Sequence, residues 1–114
     1  MKYQTEVYRL ASQVWGDKQE TGNDLIARLC EEVGELAQAI RKYEEGVRFG
    51  HQEKPGTKET IEDELADVMF MVGRISNAYS LDLDRVMERS IAKIEGRIMR
   101  ADDQEVLETH DEQV

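Results

Sequence analysis

The residues Ile61-Glu62-Asp63-Glu64-Leu65-Ala66-Asp67-Val68-Met69-Phe70-Met71-Val72 decide the fold. Apolar side chains at Ile61, Leu65, Val68, Met69, Phe70, Met71, Val72 and Ile75 cover more than half of a helical circumference. A helix over 61–79 is therefore predicted to be the most buried of the chain. Thr60 followed by Asp63 resembles a capping box, with Asp in the place of Glu or Gln. Glu62 and Asp63 suit the positive end of a helix dipole. Asp67 does not, because it stands two turns in, beside the run Val68–Val72.

Working outward, Gly46, Gly50, Pro55 and Gly56 mark a loop over about 46–58. Before it, Leu25, Ile26, Leu29, Val33, Leu36, Ala37 and Ile40 form the stripe of a helix over 23–45, with Asn23 or Asp24 as its cap. Tyr3, Val7, Leu10, Ala11 and Val14 predict a half-buried helix over 2–15, and Gly16 and Gly22 bracket the turn that follows. Downstream, Leu83, Val86, Met87, Ile91, Ile94 and Ile98 predict a fourth helix over 82–100. No segment alternates apolar and polar residues as a strand would. The expected fold class is all-α: an antiparallel, four-helix bundle-like domain over 1–100, followed by an acidic tail over 101–114 that is expected to be frayed or mobile. The third helix is apolar nearly all round in a short chain, so a dimer or a dimer of dimers is expected to cover the surplus.

The chain has 114 residues, one domain's worth. Charged residues make up 35%, above the usual ~25%, which suits helices with wide solvated faces. Its net charge of -10 argues against nucleic acid polymers and anionic membranes as partners. Six acids and no Lys or Arg fall in 101–114, so most of that charge is in the tail. Cys30 is the only cysteine, which excludes an internal disulfide and fits a reducing cytoplasm; it is read as a small buried residue. MKYQTEVYRL (1–10) has no signal-peptide stretch, and the run Val68–Val72 is far too short to span a bilayer. The expected location is cytoplasmic. Met69, Met71, Met87 and Met99 read as core filler.

Glu32 and Glu35 form one acid pair at i, i+3, and Glu64 and Asp67 form another. Most acids on helices are solvated surface groups. Glu32, however, lies roughly 80° from the centre of its helix's apolar stripe, at the core edge. Like charges at this spacing cost roughly 0.2–0.5 kcal/mol per pair even in water, and more when half-buried. Two such pairs on two core helices point to a hard divalent cation with oxygen ligands, Mg²⁺ or Mn²⁺. Helical di-iron sites use Glu-x-x-His, and the only histidines are His51 in the loop and His110 in the tail.

At these residues the chain resembles the MazG-type nucleotide pyrophosphohydrolases. Glu31–Ile40 (EEVGELAQAI) and Glu62–Val72 (EDELADVMFMV) carry that family's E-x-x-E, spacer, E-x-x-D motif, with 28 residues between Glu35 and Glu64. The likeness runs on through Asn77–Val86 (NAYSLDLDRV) to Lys93–Arg97 (KIEGR), about three-quarters of the chain. Ala66 stands where the family often has Gly. The resemblance implies an α-helical dimer or tetramer that hydrolyses nucleoside triphosphates, or deoxy forms, to the monophosphate and pyrophosphate. It implies Mg²⁺ held by Glu32, Glu35, Glu64 and Asp67, with Asn77, Lys93 and Arg97 facing the phosphates. Glu31 or Glu35 is the candidate general base. Without the resemblance, Lys93 and Arg97 read as a solvated i, i+4 pair and Asn77 as a local cap. Trp15 has two readings, core or dimer packing and stacking on a nucleobase. Two rivals stand beside this reading: a phosphoribosyl-ATP pyrophosphatase-like enzyme, and a non-catalytic helical interaction module.

Overall fold

The structure is a computed structural model that describes residues 2–16, 20–46 and 55–112, with side chains through residue 105. The described residues form four helices and no strand: α1 (Lys2–Trp15), α2 (Gly22–Glu45), α3 (Lys58–Ala78) and α4 (Leu83–Glu112). The chain divides into two compact units, Met1–Ser80 with α1 to α3, and Leu81–Val114 with α4.

Helix starts are set by threonines earlier than expected. Thr21 caps α2 in a reciprocal box: its Oγ1 accepts from Asp24 N at 3.2 Å, and Thr21 N donates to Asp24 Oδ2 at 3.1 Å. Asp24 is thus the third residue of the helix rather than its cap, and Asn23 lies inside it. Thr57 caps α3 by accepting from Thr60 N at 3.1 Å, so the expected Thr60–Asp63 box gives way to a start three residues upstream. The two caps satisfy backbone donors that a helix leaves orphaned at its N-terminus. Gly16 (φ 62°) and Gly46 (φ 73°) follow α1 and α2, where residues with side chains would be strained.

Antiparallel packing within the first unit can be read from its close approaches. Gly22, at the start of α2, lies under the Tyr79 ring that ends α3. Gly56, just before α3, lies against the backbone at Lys42 and Tyr43, near the end of α2. For α1, Asn77 Nδ2 donates to the Gln4 carbonyl at 3.2 Å, Gly73 packs under Val7, and the Trp15 and Phe70 rings stand 6.5 Å apart. Residue numbers rise along α1 as they fall along α3. Helix α3 is the hub, packed on both α2 and α1.

Helix α3 also holds most of the buried residues of this unit: Met71, Gly73, Arg74 and Ser76. Leu25 and Ala39 are their counterparts on α2, and a buried Leu or Met contributes roughly 1.5–3 kcal/mol. Much of the predicted stripe is not covered: Val14, Ile26, Val33, Ile40, Leu65 and Met69 are exposed. Cys30 is exposed too, because its position turns away from the Leu25 face; the expected burial is corrected.

Helix α4 is longer than its apolar period, running past Arg100 to Glu112. Ala101, Gln104, Glu105 and Leu107 are good helix formers, and neither Gly nor Pro interrupts them. Val86, Met87, Ile91, Ile94, Ile98 and Met99 are exposed along it. No described helix is long and apolar enough to cross a membrane. His51, with most of the loop expected at 46–58, lies outside the described residues, as does the side chain of His110.

Candidate active site

Antiparallel packing of α2 on α3 brings the two acid pairs face to face. One carboxylate oxygen from each of Glu32, Glu35, Glu64 and Asp67 lies within 4.8 Å of the other three. Glu32 and Glu64 are half-buried, and Glu35 and Asp67 are exposed. Oε2 of Glu32 and Oε2 of Glu64 are buried without a hydrogen-bond donor. A buried carboxylate oxygen without a donor is costly, and a cation held between these acids would offset that cost.

The electrostatics agree. The Glu32 carboxyl is held above its ordinary value near 4.5, first by burial, then by the charges of Glu35 and Asp67. Burial comes first for Glu64 as well, followed by Glu35 and Asp67, and it is raised likewise. A side-chain hydrogen bond with Glu35 adds a smaller upward push to each. Four converging carboxylate oxygens, on acids of which two also carry a donorless buried oxygen, fit a hard divalent cation and no soft one.

Two of these acids continue into a cavity of about 380 Å³ lined by Trp15, Arg28, Glu31, Glu32, Asp67, Phe70, Met71 and Arg74. Its volume falls within the roughly 300–1,000 Å³ usual for small-ligand sites. Arg74 is buried, with its guanidinium 4.1 Å from the centre of the Trp15 ring and ion-paired to Glu20. Glu20 holds Arg28 with its other oxygen at 3.1 Å, and Arg28 also lies over Trp15, 5.8 Å from the ring centre. A buried guanidinium needs such a partner; removing one side of a buried pair costs roughly 3–5 kcal/mol.

Of the residues singled out by sequence, Glu31, Glu32, Asp67 and Trp15 line this cavity, and Glu35 and Glu64 complete the acid cluster beside it. Asn77 does not reach the cavity: it lines a smaller one of about 190 Å³, separated by Trp15 and Arg74, and its amide is engaged by the Gln4 carbonyl. Lys93 and Arg97 lie one turn apart on α4 and are exposed. Sequence reasoning missed Glu20, Arg28 and Arg74. The available signal was a lone Arg74 among Met71, Val72 and Ile75 on an apolar helix, which demands a buried acid somewhere.

Residues 20–100 match the MazG nucleotide pyrophosphohydrolase domain. The chain belongs to that family, and the four-acid cluster falls inside the matched segment. Among individual proteins it is similar to YpjD of Bacillus subtilis strain 168, an uncharacterized protein, with 31% identity over 75 residues. That match spans 64% of this chain and 63% of YpjD, less than two thirds of the relative's length. The fold is similar to the crystal structure of the candidate pyrophosphatase YPJD from Bacillus subtilis, with a TM-score of 0.64 and 29% identity. There the match covers 82% of this chain and 88% of that one.

Proposed function

We propose that this protein is a Mg²⁺-dependent nucleoside triphosphate pyrophosphohydrolase, cleaving NTP or dNTP to the monophosphate and pyrophosphate. The observation that carries the reading is the convergence of Glu32, Glu35, Glu64 and Asp67 within 4.8 Å at the edge of a cavity that also offers guanidinium and aromatic groups. Those four acids would hold the metal. When bound, Mg²⁺ would neutralise the polyphosphate and make water more acidic.

The chain's own groups do the rest. Glu31 lines the cavity but is not one of the four clustered acids, so its carboxylate can take a proton from the attacking water. Glu35, exposed in the cluster, is the second candidate for that proton. Trp15 and Phe70 supply apolar walls against which a base can pack. Most of the rate gain would come from positioning and charge stabilisation. Lys93 and Arg97 are proposed as further phosphate contacts on the family's pattern, and Asn77 as one whose amide would have to leave the Gln4 carbonyl to take that role.

Assembly as a homodimer or homotetramer belongs to the same proposal, supported by the exposed apolar side chains of α1 to α4. So do a cytoplasmic location and the division into a catalytic domain over 1–100 and a dispensable tail. The test is pyrophosphate release across ribo-, deoxyribo- and modified triphosphates, with products identified. Monophosphate plus pyrophosphate is expected. Glu35→Gln should lower kcat/KM by roughly a hundredfold or more while the fold is kept. Wild-type turnover in that variant, or silence across the panel, would overturn the reading.

A further inference from the structure

We propose that Arg28 is a phosphate-binding residue of this cavity, presented to the substrate by a Glu20–Arg74–Trp15 anchor. The proposal rests on the hydrolase reading and adds a residue outside the family's acid motif.

Glu20 divides its carboxylate between two guanidiniums, Oε2 to Arg74 and Oε1 to Arg28. The three groups together carry a net charge of +1. Arg74 is the fixed member: its side chain is 8% exposed, and it stacks on Trp15 at 4.1 Å. Arg28 is the open member, with its side chain 44% exposed and only Nη2 paired to Glu20. Its remaining N–H groups have no partner among the described residues. Arg28 lines the same cavity as Glu32 and Asp67.

An occupant of this cavity thus meets both carboxylates and a guanidinium. Acids that hold a divalent cation attract phosphate oxygens through it, and a guanidinium binds them directly, two at a time. A polyphosphate satisfies both at once, whereas a monoanion satisfies one. Arg74 cannot take this role, since its face is covered by Trp15 and one edge by Glu20.

The experiment is calorimetric titration of the full chain with inorganic pyrophosphate in Mg²⁺, for the wild type, Arg28→Gln and Arg28→Lys. Pyrophosphate affinity is expected to fall at least tenfold in Arg28→Gln, the effect of losing charge-assisted hydrogen bonds, and partly to return in Arg28→Lys. The Mg²⁺ concentration that half-saturates the melting-temperature rise is expected to stay unchanged, which a structural role would not leave alone. Equal pyrophosphate affinity in Arg28→Gln and wild type overturns the proposal. A loss of pyrophosphate affinity that tracks an equal loss of Mg²⁺ affinity overturns it too. Wild-type triphosphate turnover alongside either result leaves the hydrolase reading standing; no wild-type turnover removes both.

Discussion

Asp67→Asn should change stability in opposite directions with and without metal. In the metal-free protein, Asp67 stands with one oxygen within 4.8 Å of an oxygen on each of three other acids. Two unit charges at that distance repel by roughly 0.9 kcal/mol in water. Asp67 is exposed, so its repulsion is further reduced by salt. The carboxyls of its neighbours Glu32 and Glu64 are raised by burial and by the surrounding acids, which lowers the repulsion further. The net relief from the substitution is about 1 kcal/mol, and for a domain of this size that is a melting-temperature rise of roughly 3–6 °C. Saturating Mg²⁺ reverses the order. A ligand at a hundred times its Kd stabilises the folded state by ~2.7 kcal/mol, and the variant forfeits much of that. Thermal unfolding in EDTA and in MgCl₂, with KCl matched for ionic strength, gives both values. Asp67→Asn less stable than wild type in EDTA, or equally stabilised by Mg²⁺, would refute the shared-ion reasoning.

In EDTA the stability of the wild type should fall as pH rises from about 4.5 through the raised values of Glu32 and Glu64, because the folded state binds more protons than the unfolded one in that window. Urea titrations should show this slope, and added Mg²⁺ or the double variant Glu32→Gln/Glu64→Gln should flatten it; a slope unaffected by both would assign it elsewhere. Gly56→Ala should lower stability by about 1–3 kcal/mol, because its Cβ would come within 2.5 Å of the Tyr43 backbone nitrogen, which cannot yield as a side-chain tip can. An unchanged denaturation midpoint would count against that close approach. Gly34→Ala should stabilise by about 0.5–1 kcal/mol, since a Cβ there meets nothing within 4 Å in this chain. A loss of stability, together with a changed sedimentation coefficient, would reveal a second chain packed on that face.

Helix identity was legible in the sequence because a 3.6-residue apolar period survives any detail of packing. The stripes Tyr3–Val14 and Leu25–Ile40 and the apolar run after Asp67 each fell on an observed helix. The acid pairs were legible for the same reason, since i, i+3 spacing sets one face whatever the helix meets. Helix ends were less so. Thr21 and Thr57 compete with nearby Asn, Asp and Thr for the same capping role, and the choice depends on where the chain can turn. The length of α4 was hidden because propensity, not an apolar period, carries it beyond Arg100.

What the sequence by itself determined is therefore an all-helical chain with two acid pairs on two helices. The tertiary structure alone decided that those pairs meet within 4.8 Å, because that depends on the antiparallel register of α2 on α3. It alone joined Glu20 to Arg74, residues 54 apart, and set both against Trp15. Periodicity is a property of one helix, whereas an ion pair between distant segments exists only once packing has excluded water from between them.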